Sequence, residues 1–195
     1  MNIESYKGGY DRNLSYLIVC DNEALIIDPF ENVQQYFDDA ENHDANIIGF
    51  MNTHAHFDHI QGNQVLEDKG VENKSGESFD IGTETIEVIK TPGHSIDSKC
   101  YVIGNCLFSG DTLFVGKVGG TSDEESARQE WTSLQKLTDL PYDTKVYPGH
   151  DFGEKQVSTI EEEKKNNPFL QRDSFEAFYE LKQNWQSYKE KHGID

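Results

Sequence analysis

Cysteine, methionine and proline are scarce in this 195-residue chain, which contains three, two and five of them. An odd and sparse set of cysteines is typical of a reduced, cytoplasmic protein and argues against a disulfide-rich secreted scaffold. Cys100 and Cys106 flank a predicted turn at "IGN" and could face each other across a hairpin. We favour ordinary buried thiols, because an unpaired cysteine usually packs as a small apolar side chain.

Long apolar runs and an excess of basic residues are also missing. No run approaches the about 20 residues that cross a bilayer, and "MNIESYKGGYDRN" lacks the basic and apolar regions of a signal peptide. The chain has 17 Lys and Arg against 36 Asp and Glu, a formal net charge of −19. Such a surface repels phosphate backbones and anionic lipid, which argues against nucleic acid and membranes as partners.

The chain does contain enough apolar volume for a folded domain. Hydrophobic residues make up 35% and aromatic residues 11% of it, and we predict one domain over residues 1–195, with no repeat or linker. Apolar, β-branched arms around turn residues predict hairpins in "LSYLIVCDNEALIIDPF", "SFDIGTETIEVIKTPGHS" and "KCYVIGNCLFSGDTLF". Single strands are predicted at "NIIGFMNT" and "TKVYPGHD".

Helices are predicted at "NVQQYFDDA", "NQVLEDKG" and "SDEESARQEWTSLQKL", the last with a capping box from Ser122 to Glu125. The C-terminal helices, residues 158–192, comprise two stretches, "VSTIEEEKKN" and "SFEAFYELKQNWQSYKEKHG". An apolar stripe on the second stretch is expected to pack on the body of the domain, and its residues are Phe178, Leu181, Trp185 and Tyr188. Because hairpins outnumber alternating β-α units, the pattern predicts an α+β fold of mixed sheets covered by helices.

The residues with chemical potential gather in four loops, each placed after a strand-like apolar run. The loops read "NTHAHFDHIQG", "KTPGHS", "FSGDTLF" and "VYPGHD". His43 and His192 lie outside them, in polar stretches where a surface histidine is the ordinary interpretation. "HAHFDH" is the strongest signal, because three imidazoles and a carboxylate packed together without a metal would repel on protonation and be costly to desolvate.

A hydrolytic metal centre explains this pattern. It needs neutral imidazoles and carboxylates that converge from loops on a rigid sheet, with one coordination position left for water. In extended backbone His54, His56 and Asp58 would project to one side and His59 elsewhere, so that one loop serves two metal ions. Asp111 is a candidate bridge between the ions. Glycines directly before the ligands of the other loops allow close backbone approach: Gly93, Gly110 and Gly149.

Together these motifs resemble the metallo-β-lactamase superfamily, and within it the glyoxalase II-like (hydroxyacylglutathione hydrolase) branch. The likeness extends to "NPFL" and includes "IIDP" around Asp28, "NTHAHFDHIQGN", "TPGHS", "SGDTLFVG" and "VYPGHD". It implies a four-layer αββα sandwich of two mixed sheets with metals at one edge, and Asp28 as a supporting or turn residue. The implied ligands are His54, His56 and His94 for the first metal, Asp58, His59 and His150 for the second, and Asp111 as the bridge.

The reaction that the resemblance implies is hydrolysis of a small-molecule thioester such as an S-acyl glutathione. Two divalent ions, expected to be Zn with Fe or Mn as alternatives, would lower the pKa of a bridging water from ~15.7 toward ~7. The resulting hydroxide attacks the carbonyl carbon, a metal takes the oxyanion, and Asp58 is a candidate to receive the water's proton. The enzyme is expected to be a cytoplasmic monomer or homodimer.

Other functions stay open at this point. Iron-dependent persulfide dioxygenases share the same loop but use one Fe(II), at positions matching His54, His94 and Asp111. A lactonase or β-lactamase-type hydrolase would use the same hydroxide on a ring, and a non-enzymatic protein could hold metal without turnover. "GDTLFVG" and "NPFL" favour the thioester hydrolases.

Two positions depart from the family pattern for glutathione. A Lys or Arg is common nine residues beyond the bridging aspartate, where this chain has Gly120, and an aromatic hydroxyl is common where it has Phe152. Lys117 is a candidate replacement for the missing cation, with an ordinary surface lysine as the alternative. The departures put glutathione specificity in doubt and leave the metal ligands intact.

Overall fold

The computed structural model describes residues 1–194; Asp195, the last residue of the predicted domain, lies outside the described residues. The first of two large sheets has the order β1-β2-β3-β4, formed by β1 (Asn2–Gly8), β2 (Asn13–Cys20), β3 (Glu23–Ile27) and β4 (Asn46–Met51). β4 runs parallel to β3, and the other neighbours are antiparallel. The predicted hairpin of β2 and β3 is confirmed. β1 was not predicted, because this edge strand is mostly polar and only partly buried.

The second sheet has six strands in the order β12-β11-β8-β7-β6-β5. These are β5 (Ser78–Ile81), β6 (Glu84–Lys90), β7 (Lys99–Ile103), β8 (Cys106–Gly110), β11 (Lys145–Pro148) and β12 (Ser158–Thr159). A short ribbon of β9 (Leu113–Phe114) and β10 (Lys117–Val118) follows β8. Only β8 and β11 pair in parallel among the described strands of this sheet. Both large sheets are therefore mixed, as predicted.

Helices cover the outer face of each sheet. α1 (Gln34–Asn42) and α2 (Asn63–Asp68) share an apolar core with the first sheet. The second sheet shares another core with α3 (Glu124–Thr138), α4 (Ile160–Asn166), α5 (Phe175–Gln183) and α6 (Trp185–His192). A third core, which includes Tyr16 and Phe108, lies between the sheets. The predicted four-layer αββα sandwich is confirmed.

The C-terminal stretch differs from the single helix predicted for "SFEAFYELKQNWQSYKEKHG". Asn184 leaves the helical region, and its side-chain amide donates to the Glu180 carbonyl at 2.9 Å, which ends α5 before α6 begins. Ser158 and Thr159, predicted as helix, form β12 instead. The predicted packing of the apolar stripe is confirmed, since Phe178 and Leu181 are buried and the other two aromatic residues pack against the same core.

The cysteines are buried free thiols, as favoured. The alternative that Cys100 faces Cys106 across the hairpin is wrong, because Cys106 pairs with Ile103 in the β7–β8 register. Cys100 packs in the core beneath the helices of the second sheet, whereas Cys106 packs between the sheets. The two thiols therefore project from opposite faces of the same sheet.

The capping box of α3 is shifted by one residue from its prediction. Asp123 rather than Ser122 is the N-cap, and it accepts from the Ser126 amide at 2.8 Å while the Ser126 hydroxyl accepts from the Asp123 amide at 3.0 Å. Replacing Asp123 with Ala is expected to lower Tm by about 2–4 °C, because a cap is lost in a chain of this size. Ser122→Ala is the control at the neighbouring position and should lower Tm less, because the Ser122 hydroxyl bonds to the Ser126 hydroxyl, at 3.3 Å, rather than to a backbone amide of the helix; a reversed order in thermal melts would contradict the assignment.

The topology brings the four loops to one edge of the sandwich. β6, β8 and β11 run in the same direction, so that the loops after them emerge at the same edge of the second sheet. Backbone bonds join this edge to the first sheet: Lys99 N donates to Thr53 O at 2.9 Å, and Leu14 N donates to Gly149 O at 2.8 Å. No helix within residues 1–194 has both the length and the apolar composition needed to cross a bilayer.

Candidate metal centre

The loop after β4 carries four of the seven predicted ligands, but its backbone is not extended throughout. Phe57–His59 form a turn of 3-10 helix, and His56 before it is extended. The extended backbone expected to project His54, His56 and Asp58 to one side is therefore not present, because a helical turn begins at Phe57. The loop still contributes side chains to two separate groups of candidate ligands.

The first group, called the first trio, comprises His54, His56 and His94. Nε2 of His54 and Nε2 of His94 lie 2.9 and 3.0 Å from Nδ1 of His56. One nitrogen from each ring therefore belongs to a set whose members lie within 4.8 Å of one another. His54 is buried, whereas His56 is exposed, so this trio is open on one side.

The second trio comprises Asp58, His59 and His150. Oδ2 of Asp58 lies 3.6 Å from Nε2 of His150 and 3.9 Å from Nε2 of His59. Asp111 lies between the trios: its Oδ1 is 3.4 Å from Nε2 of His59, and its Oδ2 is 3.3 Å from Nε2 of His150 and 3.5 Å from Nε2 of His94. The structure thus brings all seven side chains together; their role as ligands stays a proposal.

Backbone carbonyls fix the orientation of two of the histidines. Nδ1 of His94 donates to the Gly120 carbonyl, and Nδ1 of His150 donates to the Asp11 carbonyl, both at 2.9 Å. A carbonyl only accepts, so the Nδ1 of each ring carries the proton, and Nε2 has a lone pair when the ring is neutral. Both lone pairs then point toward Asp111, which is the orientation that a cation between them would stabilise.

Asp28 orients one histidine of each trio: His59 directly, and His54 through the Thr53 hydroxyl. Its Oδ2 accepts from Nδ1 of His59 at 2.9 Å and from the Thr53 hydroxyl at 2.7 Å, and its Oδ1 accepts from the Thr53 amide at 2.7 Å. Because its proton goes to Asp28, the Thr53 hydroxyl accepts from Nδ1 of His54 at 3.1 Å. The predicted supporting position of Asp28 is confirmed by this geometry.

Replacing Asp28 with Asn is expected to weaken metal binding 10- to 100-fold, the usual cost of losing a group that orients metal-ligating histidines. The amide removes one acceptor and the charge that holds the His59 tautomer. Competition with a chromophoric chelator measures the loss. Asp21→Asn is the matched control: both aspartates have positive φ, 52° and 53°, which Asn tolerates, and Asp21 lies outside the site. Equal affinities for the two variants would contradict this role.

The buried carboxylates of the centre favour positive charge on the groups beside them, as the pKa shifts of these side chains indicate. Burial opposes protonation of His59, but the charge of Asp28 and its hydrogen bond outweigh burial and raise the pKa of His59 to about 9. Burial lowers the pKa of His54 to about 4. For Asp111, burial is outweighed by the neighbouring imidazoles of His150 and His59, which hold the pKa of this carboxyl well below its usual range.

An unsatisfied oxygen supports the fit of metal to these residues. Oδ1 of Asp111 is buried and has no hydrogen-bond partner within the described residues, and a buried carboxylate oxygen without a partner is costly. A Cβ on Gly149 would lie 2.3 Å from this oxygen and 3.0 Å from the His59 ring, so glycine is required beside it. Imidazole and carboxylate donors of this kind suit divalent zinc, iron or manganese.

Three supporting residues were missed by the sequence analysis. Nδ2 of Asn13, on β2, donates to the Asp58 carbonyl at 3.1 Å and to its Oδ2 at 3.3 Å. Lys182 on α5 forms a buried ion pair with Glu130 on α3 and donates to the Gly119 carbonyl at 2.7 Å. This contact fixes the segment next to the carbonyl that orients His94. No local motif marks any of the three.

Five of the seven side chains line a cavity of about 630 Å³. Its other walls combine aromatic, cationic, acidic and small polar residues. The aromatic and cationic ones include Tyr10, Phe114, Lys117, Phe152, Tyr179, Lys182 and Trp185, and the acidic ones are Asp11 and Asp123. Trp185 therefore both packs on the core and forms part of the cavity wall. A small molecule with an apolar portion fits such a surface.

Sequence comparison identifies a family profile and relatives that are hydrolases. Residues 8–78 and 68–150 match the profile of the Metallo-beta-lactamase superfamily. The chain is 30% identical over 188 residues to the hydroxyacylglutathione hydrolase of Pseudoalteromonas translucida (strain TAC 125), covering 87% of this chain and 72% of the relative. It is 28% identical over 191 residues to "Probable polyketide biosynthesis zinc-dependent hydrolase BaeB" of Bacillus velezensis, covering 85% of each.

A solved structure extends the likeness to three dimensions. ETHE1 from Myxococcus xanthus has a TM-score of 0.85 and 30% identity, over 95% of this chain and 91% of that chain. The profile match includes all four loops that carry the seven side chains. The chain therefore belongs to the metallo-beta-lactamase superfamily of divalent-metal enzymes.

Proposed function

We propose that this protein is a dinuclear metallohydrolase that cleaves small-molecule thioesters, as expected for the hydroxyacylglutathione hydrolase type. The observation that carries the proposal is the position of Asp111. Its Oδ1 faces His59, whereas its Oδ2 faces His94 and His150. A carboxylate with oxygens toward two donor sets is what a two-metal hydrolytic site requires.

The first trio is assigned to one metal and the second trio to the other, with Asp111 shared. When bound, the two cations supply a water of lowered pKa for attack and a Lewis acid for the substrate carbonyl oxygen. Zinc is our first expectation, with iron and manganese as alternatives, because the donor set suits all three. The name of the Bacillus velezensis relative, a zinc-dependent hydrolase, supports this order.

Asp58 is assigned a second role as the proton acceptor. Its side chain is 13% exposed and lines the cavity, so that water can reach its carboxylate. Asn13 holds the carboxylate in place through the bond to Oδ2. During hydrolysis water adds to the acyl carbon, the carbon–sulfur bond breaks, and the proton taken by Asp58 passes to the departing sulfur. The products are a carboxylic acid and a thiol.

A substrate panel tests the proposal. Purified protein, metal-loaded and metal-stripped, is assayed with S-lactoylglutathione, acetyl thioesters, a lactone and nitrocefin. We expect metal-dependent release of thiol from the thioesters and little turnover of the other two. Preferred turnover of the lactone or nitrocefin would assign the hydrolase to ring substrates instead. The extent of the domain over residues 1–195, the cytoplasmic location and the monomer or homodimer state stay predictions.

A mononuclear iron persulfide dioxygenase is the second candidate, because His54, His94 and Asp111 alone supply two imidazoles and a carboxylate. Nε2 of His94 lies 3.5 Å from Oδ2 of Asp111, within reach of a shared ion. Oxygen uptake on glutathione persulfide, by protein containing one iron, would establish this alternative. Because these dioxygenases share the loop that carries Asp58 and His59, the presence of those two residues does not separate the candidates, and the number and identity of the bound metal decide between them.

A further inference from the structure

Two buried tyrosines connect the large sheets at the points where ligand-bearing loops begin. Tyr16 on β2 and Tyr101 on β7 are 3% and 2% exposed and belong to the core between the sheets. The Tyr16 hydroxyl donates to the Pro148 carbonyl, and the Tyr101 hydroxyl donates to the Asn52 carbonyl, both at 2.6 Å. Each bond therefore joins one sheet to the other, and the two bonds cross the sandwich in opposite directions.

Both accepting carbonyls lie where regular strand pairing stops. Asn52 directly follows the last residue of β4, and the register between β8 and β11 shifts between Tyr147 and Pro148. Two residues after each carbonyl comes a candidate ligand, which is His54 in one loop and His150 in the other. The hydroxyls thus hold the backbone at positions that the regular sheet no longer fixes.

Packing alone does not require these hydroxyls. Phe108 fills the same core with a ring centred 5.2 Å from that of Tyr16, and its side chain has no polar atom. A hydroxyl in an apolar core is costly unless it is hydrogen-bonded. Burial raises the pKa of the Tyr16 and Tyr101 phenols, so each hydroxyl keeps its proton and remains a donor. What each hydroxyl adds to its ring is therefore a fixed carbonyl at the base of a loop.

Asn52 extends the contact of Tyr101 to the far end of its loop. Its Nδ2 donates to the His59 carbonyl at 2.6 Å, and its amide group pairs with that of Asn63 through bonds of 2.8 and 3.1 Å. Asn52 therefore joins both ends of the segment 52–59, which contributes side chains to both trios.

We propose that Tyr16 and Tyr101 are positioning residues of the metal centre and act through their hydroxyls. Tyr101 holds the loop that serves both trios, whereas Tyr16 holds the loop that supplies His150 to the second trio. The inference rests on the ligand role proposed for the two trios and is independent of the substrate. A ligand whose backbone is already fixed loses less freedom when a metal binds, so each hydroxyl increases metal affinity without touching the metal.

Zinc affinity tests this assignment one trio at a time. His56→Ala leaves the second trio complete and His150→Ala leaves the first complete, and zinc binding to each stripped protein is measured by competition with a chelator. In His56→Ala, Tyr16→Phe and Tyr101→Phe are each expected to weaken binding about 3- to 10-fold, the effect of one lost hydrogen bond. In His150→Ala, Tyr101→Phe should weaken binding by the same factor and Tyr16→Phe less than twofold. An equal effect of Tyr16→Phe in both backgrounds, or none in either, would refute the proposal.

Amide hydrogen exchange in metal-stripped protein provides a readout that needs neither bound metal nor turnover, and it decides if a background binds no zinc. Tyr16→Phe is expected to accelerate exchange of the Gly149 and Asp151 amides about 3- to 10-fold, and Tyr101→Phe that of the Thr53 amide, all of which are hydrogen-bonded in the structure. Exchange in the β5–β6 hairpin should stay unchanged. Equal acceleration throughout both sheets would show that the hydroxyls stabilise the fold as a whole, which contradicts a positioning role.

Tyr6→Phe is the matched control, since it removes a hydroxyl that donates to Oδ2 of Asp39 at 2.7 Å, outside the centre. It should change neither the zinc affinity nor the exchange of the two loops. If exchange follows the prediction but no thioester is cleaved, the tyrosine assignment stands and the proposed function alone fails. If thioesters are cleaved but both tyrosine variants keep wild-type exchange and zinc affinity, this inference alone fails.

Discussion

Replacing Asp111 with Asn is expected to lower kcat/KM for thioester hydrolysis by about 1000-fold and to reduce the metal content of the purified protein. The amide keeps the shape of the side chain but removes its charge and replaces one donor oxygen with an NH₂ group. Because that carboxylate faces both trios, each metal loses affinity, and several kcal/mol of electrostatic stabilisation corresponds to about three orders of magnitude in rate.

Asp143→Asn provides the matched control, since Asp143 is exposed on the loop before β11 and outside the cavity. Steady-state kinetics and elemental analysis are made on both variants. If Asp111→Asn retained the activity and metal content of Asp143→Asn, the assignment of Asp111 as a shared ligand would be wrong. Retention of the biological function without turnover would instead favour a non-enzymatic metal-holding protein.

Replacing Lys182 with Met is expected to destabilise the protein by about 3–5 kcal/mol, the usual cost of leaving a buried charge without its partner. The side chains of Lys182 and Glu130 are 10% and 0% exposed, and Oε1 of Glu130 has no hydrogen-bond partner among the described residues. The variant also loses the bond to the Gly119 carbonyl, so we expect weaker metal binding through His94. Denaturant unfolding measures the change in stability.

The double variant Glu130→Gln/Lys182→Met is the control for this effect. It leaves no buried charge, so we expect it to recover most of the stability lost in Lys182→Met. A double variant as unstable as the single one would show that packing of the lysine stem, rather than the unpaired charge, stabilises this region.

The loss in Lys182→Met should also depend on pH. Burial raises the pKa of Glu130 to about 7, against the lowering effect of Lys182; removing the lysine raises the pKa further. A carboxyl with a folded-state pKa above its unfolded value of 4.5 binds a proton on folding, so the penalty grows as pH rises above that value. Lys182→Met should therefore lose less stability relative to the wild type at pH 5 than at pH 8.

The centre could be predicted from sequence because its chemistry is local. "HAHFDH" places four functional groups within six residues, and the other loops each combine a glycine with one histidine or aspartate after a strand. What could not be predicted is the conformation within that loop. The 3-10 turn at Phe57–His59 assigns Asp58 to the second trio, and this assignment followed from the family resemblance rather than from the alternation of side chains.

The supporting contacts escaped prediction because they join residues far apart in the chain. Asn13 reaches Asp58 across 45 positions, and Lys182 reaches Glu130 across 52. Neither pair has a local pattern that distinguishes it from ordinary surface polar residues. Gly120 illustrates the same limit. In the sequence its lack of a side chain is a departure from the family pattern of a Lys or Arg. In the structure its carbonyl accepts from Nδ1 of His94, and residue identity does not reveal such a backbone role.

Elemental analysis of protein purified without added metal tests the central claim most directly, because two cations between seven converging side chains underlie every step proposed above. We expect two divalent transition-metal ions per chain, falling well below two in Asp111→Asn. One iron per chain would contradict the dinuclear hydrolase in favour of the dioxygenase, and protein that takes up no transition metal, even when zinc, iron or manganese is supplied, would contradict the account altogether.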